Sequence, residues 1–189
     1  MVKHNYFDDL ERLSEIALSA VTLVCHSEKR KDTDGISELR RECDGIVCRT
    51  EDALFSDFIP PLERDGIAAI SHGLSRIVDR ASELLADPSA SPQFMHRNEE
   101  AEICVRLAAE LRDSVYLLRR IKKPSDTPDL CGYRRLLSEG RCAHKRMLCA
   151  VRSGSLSRSH AEAIILTSRL RTELSAVFDE LIEIMLNNI

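Results

Sequence analysis

From Phe7 to Met185 apolar residues return every three or four positions, and no segment alternates convincingly with period two. Side chains at i, i+3, i+4 and i+7 share one helix face, whereas a half-buried strand repeats every second residue. The chain is therefore committed to helices that each bury one stripe. Six stripes are legible. The first, from about Tyr6 to Cys25, carries Phe7, Leu10, Leu13, Ile16, Ala17, Ala20, Val21 and Val24. A polar break at Lys29-Arg30-Lys31-Asp32 follows, with Thr33 or Asp34 as the next cap. The second stripe runs Ile36, Leu39, Cys43, Ile46, Val47, Leu54, Phe55 and stops at Pro60-Pro61; the third runs from Ile67 to Leu85. The fourth holds Ile103, Leu107, Leu111, Val115, Leu118 and Ile121, the fifth Leu130 to Val151, and the sixth begins near Ser157 and ends at Met185. Breaks at Pro124–Pro128 and Ser153-Gly154-Ser155 separate these last three.

Long helices with short breaks pack as antiparallel neighbours in a bundle, so the expected class is all-α. Asp87-Pro88-Ser89-Ala90-Ser91-Pro92 is the clearest linker, and it divides the chain into two sets of three. A chain of 189 residues, 43% hydrophobic and 31% charged, suits one domain with a sizeable core or two small coupled halves. Its net charge of -4 gives no global basic field for nucleic acid. No apolar run approaches the roughly 20 residues of a membrane span, and the N-terminus lacks an apolar signal core, which points to a cytoplasmic protein of bacterial type. The 7 cysteines include no C-x-x-C, so most are expected to be reduced thiols in the core.

The turn between the second and third stripes reads Phe58-Ile59-Pro60-Pro61-Leu62-Glu63-Arg64-Asp65-Gly66-Ile67. Pro61 suits a first helical position, and Glu63 places negative charge in a first turn. This stretch resembles the Phe-Ile-Thr-Pro-x-x-Arg-Glu-Asp-Ile hinge of the PhoU-like phosphate-transport regulators, accessory proteins of low-affinity phosphate transporters. "YFDDLERLSEIA", "ISELRRECDG" and the closing "VFDELIEIMLNN" are similar to the same family's helices. The resemblance implies six helices in two pseudo-repeated antiparallel three-helix halves. It makes residues 1–189 a single PhoU-like domain, with halves at about 1–87 and 93–189 and a linker at 88–92.

The family's metal signature is a pair of acids four residues apart, which share a helix face and so offer several oxygens to one cation. Here the matching positions read Arg40 with Asp44, Ser75 with Asp79, Arg135 with Glu139, and Arg169 with Glu173. Asp44 and Asp79 are 35 positions apart and Glu139 and Glu173 34, which supports an internal repeat. An alternative register places Glu139 first and Ala143 second. Arginine cannot ligate a cation, but it can hold a carboxylate by a forked hydrogen bond. Three readings stand: ordinary solvated i,i+4 pairs, salt bridges replacing the metal clusters, or a reduced metal site at Asp44 and Asp79. The expected cofactor is none, with iron or zinc as the alternative that the family implies.

The proline turn makes the second and third helices antiparallel. Asp44 and Asp79 then stand about 26 Å from Pro61 on either side at 1.5 Å per residue. Arg40 is expected within reach of Asp44, with Asp79 facing both. At the hinge, Pro61 and Arg64 are the residues of interest. Arg64 is expected to hold the final carbonyls of the preceding helix, or Asp57.

Of the six histidines none has a metal-motif spacing; His72 lies two turns before Asp79, and His144 has no nameable partner. P-loop and nucleophile-elbow motifs are absent. Arg112, Arg119, Arg120, Lys122, Lys123, Arg134, Arg135, Arg141, Lys145 and Arg146 form a basic cluster with almost no interleaved aromatics, which argues against single-stranded nucleic acid. The resemblance thus implies a non-enzymatic regulator contacting a phosphate transporter or sensor at the cytoplasmic membrane face, with a homodimer as a further expectation. The alternative is a metal-binding helical bundle using carboxylates from adjacent helices.

Overall fold

Each apolar stripe becomes a helix because only then do its members reach a common interior. The computed structural model describes residues 4–26, 33–56, 60–121 and 127–188, and every regular element among them is helical. In order these are α1 (Tyr6–His26), α2 (Thr33–Ser56), α3 (Arg64–Ala86), the short α4 (Pro92–Met95), α5 (Glu99–Leu118), α6 (Leu130–Arg152), a 3-10 turn (Arg158–His160) and α7 (Ala161–Asn187). None of them is long and apolar enough to cross a membrane.

Four helices form a closed ring. α1 packs on α3 and α5, and α7 packs on the same two. α2 covers α1 and α3 from outside; α6 covers α5 and α7. Cross-helix pairs give the senses. Gly66 meets Ile184, Gly73 meets Val177 and Arg76 meets Glu173, so α3 and α7 are antiparallel. Arg119 with Glu11 and His26 with Glu102 make α1 and α5 antiparallel as well. Leu10, Leu13, Ile70, Leu74, Ile77, Leu107, Leu111, Leu174 and Leu181 fill one continuous core to which both halves contribute. Gly73 is required at its close approach: a Cβ there would stand 2.7 Å from Val177 Cγ2.

The breaks are built from local chemistry. Asn98 caps α5, its side chain accepting from the N–H groups of Glu100 and Ala101. Asp129 caps α6 through Gly132 N–H at 3.0 Å. Gly154 ends α6 with φ 78°, a conformation glycine adopts at no steric cost.

Four expectations need correction. Pro61 does not open α3: residues 61–62 form a bend, Glu63 is the N-cap and Arg64 the first helical residue. The bend buries Leu62, so the helix starts later and Asp65, not Glu63, supplies its first-turn charge. Phe55 is 89% exposed and lies outside the stripe assigned to it, because it follows buried Leu54 and shares a helix face with Cys48, Glu51 and Asp52 instead. The segment before α5 contains α4, nucleated by Ser91, whose side chain accepts from Phe94 N–H at 3.3 Å.

The fourth concerns the thiols. All seven cysteines are free, but only Cys25, Cys43 and Cys104 are buried; Cys48, Cys131, Cys142 and Cys149 are exposed. Burial pushes the Cys25 thiol up to about 12. It pushes Cys43 up to about 11 against an opposing hydrogen bond with Ser75, and Cys104 well above the ordinary range. Thiolates are the reactive species. A native thiol titration with an aromatic disulfide reagent at pH 8 should therefore release the equivalent of the four exposed cysteines quickly, and of all seven only in denaturant. Rapid release of all seven without denaturant would contradict the burial.

Candidate functional site

The seam between α2 and α3 carries the first candidate acids. Arg40 Nη2 lies 2.8 Å from Asp79 Oδ1, across the seam. Arg40 and Asp44 share α2, but no ion pair joins them, and Asp44 stands exposed without one among the described residues. The long guanidinium stem reaches the neighbouring helix and a second carboxylate there. Both acids lie close enough to Cys43 to raise its thiol electrostatically, behind burial as the main cause. His72 pairs with Glu51 at 3.1 Å rather than with Asp79.

In the second half, Arg135 lies 3.9 Å from Glu139 along α6, and Arg106 of α5 approaches the same carboxylate at 3.6 Å. Glu173 is taken by Arg76 of α3 at 2.6 Å. Arg169 thus loses its expected partner and forms no side-chain ion pair or hydrogen bond among the described residues. These donor sets do not fit an iron or zinc centre. A guanidinium occupies the carboxylate at Asp79, at Glu139 and at Glu173, and among the described residues no three His, Cys, Asp or Glu side chains gather as ligands.

The hinge residues lie at the far end of the same seam. Pro61 is exposed in the bend, and Arg64 lines a small groove with Glu51, Leu54, Phe55, Asp65 and Ala68. The proposed Arg64–Asp57 contact falls on Asp57, outside the described residues. In the basic cluster, Arg119 pairs with Asp8 and Glu11 and sits over the Phe7 ring at 5.7 Å. Arg112 pairs with Asp113, and Arg146 with Glu99. Lys122 and Lys123 lie outside the described residues.

The most unusual chemistry is a buried ionic network between α5, α6 and α7. Glu100 is fully buried. Its Oε1 accepts from Arg171 Nε at 2.8 Å and its Oε2 from His144 Nδ1 at 3.0 Å. Arg171 Nη2 donates in turn to Ser168 Oγ at 3.1 Å. Glu100 sits in the first turn of α5, where the helix dipole also favours a carboxylate. Gly140 makes room for the arginine, since a Cβ on it would stand 2.5 Å from Arg171 Cδ. Asn98 adds a neighbouring link, donating to Thr167 Oγ1 at 3.1 Å. A weaker counterpart exists in the first half, where Asp9 of α1 accepts from Thr50 of α2 at 2.9 Å.

This network escaped the reading by motif, yet a signal existed. Glu100 is in phase with Ile103, Leu107 and Leu111, and Arg171 with Ile164, Leu174 and Phe178. Charged residues on an apolar stripe of two helices are candidates for each other.

Outward from His144 and Ser168 lies a cavity of about 320 Å³, lined also by Arg80, Ile165, Arg169, Thr172 and Glu173. It brings the second-half pair Arg169 and Glu173 into one cavity, against α3. A second depression between α1 and α2 is lined by Asp9, Glu38, Glu42, Arg12, Arg41 and Arg49, and its charges balance.

No protein-family model and no curated protein is similar enough to match the chain. Solved structures are. A PhoU-like protein from Shewanella oneidensis MR-1 superposes with a TM-score of 0.68 at 12% identity, covering 97% of this chain and 97% of that one. A putative PhoU-like phosphate regulatory protein from the same organism gives 0.66 at 11% identity, covering 97% and 96%. A ring of four helices with one covering helix on each half, matched nearly end to end in both, is the PhoU-like fold, and this chain has it.

Proposed function

We propose that the chain is a member of the PhoU-like family and a non-enzymatic regulator of phosphate transport. It acts by protein–protein contact with a phosphate transporter or sensor at the cytoplasmic membrane face. The observation that carries this reading is the end-to-end likeness to PhoU-like proteins, one of them described as a putative phosphate regulatory protein. The hinge resemblance from Pro61 to Ile67 supports the same reading. The working part is the outer surface of a bundle with one continuous core, which suits docking rather than turnover. Deleting the gene in its source organism should change phosphate uptake, and tagged protein should retain a phosphate permease or sensor in detergent extracts. Unchanged uptake at both low and high phosphate, with no such membrane protein retained, would overturn the reading. A homodimer belongs to the same proposal, and sedimentation equilibrium measures it.

The metal-binding alternative is weakened by the donor sets around Asp79, Glu139 and Glu173. Protein purified without chelators is expected to carry less than one equivalent of iron or zinc by elemental analysis. A full equivalent that disappears in the Asp44→Ala, Asp79→Ala double variant would reverse this expectation.

A further inference from the structure

The cavity between α3, α6 and α7 has more cationic capacity than its carboxylates use. Arg76 holds Glu173, and Arg171 holds Glu100. Arg80 holds Glu83 through Nη1 alone, leaving its Nε and Nη2 uncommitted among the described residues, while nearby Asp79 is already taken by Arg40. Arg169 holds no carboxylate among the described residues. Around the cavity five guanidiniums thus meet four carboxylates, and the positive charge left over belongs to a side chain on the cavity wall. Uncharged polar groups converge with it. Ser168 Oγ accepts from Arg171, which leaves its own proton to give. His144 gives its Nδ1 proton to Glu100, so its second nitrogen is left to accept from a protonated oxygen of a ligand.

We propose that this cavity binds the phosphate group of a small soluble phosphomonoester. An unpaired guanidinium fork beside a second, half-used one is a geometry suited to a tetrahedral oxyanion with several acceptors. The cavity is at the lower end of small-ligand sites and larger than a bare phosphate fills. Ile165, 39% exposed on its wall, gives an apolar surface for the organic part. Glu173 opposes the anion, restrained by Arg76, and sets the affinity below what the arginines alone would give. The assignment rests on the cavity and is independent of the transport reading.

The test is calorimetric titration of the full chain with glycerol 3-phosphate, with inorganic phosphate and phosphatidic-acid vesicles as parallel arms. Saturable one-to-one binding of glycerol 3-phosphate is expected, tighter than inorganic phosphate. Arg169→Ala and Arg80→Ala should each weaken it about tenfold or more, the usual effect of losing a charged hydrogen bond. Arg169→Ala should leave the ligand-free melting temperature unchanged, since Arg169 supports no other residue. Glu173→Gln should tighten binding, an effect that a purely structural role would not produce. No saturable binding, or binding indifferent to both arginine variants, would overturn the proposal. Arg169-dependent sedimentation with the vesicles, without a response to the soluble ester, would overturn the soluble assignment in favour of a lipid headgroup.

Discussion

Replacing Glu100 with alanine is expected to cost the fold about 3–5 kcal/mol, the usual result of breaking a buried pair and stranding its partner. Arg171 is 9% exposed and cannot turn to water without leaving the groove at Gly140. The substitution removes the carboxylate but not the guanidinium, whose charge is then uncompensated. His144 loses its partner as well. Urea denaturation at constant m-value reads the change directly as a lower midpoint. A second variant separates charge stranding from mere cavity formation. Glu100→Leu with Arg171→Met removes both charges and should recover most of the loss, because paired buried charges are often replaceable by apolar residues. A loss below about 1 kcal/mol in the single variant would mean that water reaches Arg171 freely, since the cost comes from an unpaired charge out of solvent.

The second large effect is expected at Tyr133. α6 covers α5 and α7 from outside, and Tyr133 is the largest of the side chains that its first turns bury, with Leu136 and Leu137 beside it. Tyr133 stacks on Phe178 of α7 with ring centroids 3.4 Å apart, and its hydroxyl donates to Leu174 O at 2.9 Å. Tyr133→Ala should destabilise by about 3–5 kcal/mol, the range for truncating a large buried aromatic. Tyr133→Phe keeps the stack and loses only the hydrogen bond, so about 0.5–1.5 kcal/mol is expected. The two values differ because burial, not the hydroxyl, carries most of the anchoring. Equal losses in both variants would show that the hydroxyl dominates instead.

What the sequence reveals about this molecule follows from how locally each feature is encoded. The stripes of α1, α3 and α7 are local and periodic, so their helices are readable from spacing. Phe55 groups with Leu54 by being apolar, but one residue along a helix turns a side chain onto another face, and there it joins Cys48, Glu51 and Asp52. The start of α3 moved because burying Leu62 is a tertiary demand that two prolines do not announce. The acids misled in a similar way. Spacing says that Arg40 can reach Asp44, but a guanidinium on a long stem reaches Asp79 on the next helix equally well. Only the packing decides between them. The same holds for Glu173, claimed by Arg76 from the other half of the chain. Glu100 and Arg171 were visible as charges in phase with apolar stripes, but nothing in one dimension pairs residues 71 positions apart. The cavity combines three helices from both halves, so no single segment encodes it.

The closed ring of α1, α3, α7 and α5 also has a consequence in time. Arg76 and Glu173 lie 97 positions apart in the chain, and Arg119 and Glu11 lie 108 apart. Ring closure therefore depends on distant encounters, which slow folding relative to a bundle of sequential hairpins. On the ribosome the three helices of the first half emerge before α5 and α7 exist. Until then α1 and α3 hold bare the apolar faces that those later helices will cover. The nascent half is therefore an aggregation-prone form of this chain until α5 and α7 cover it.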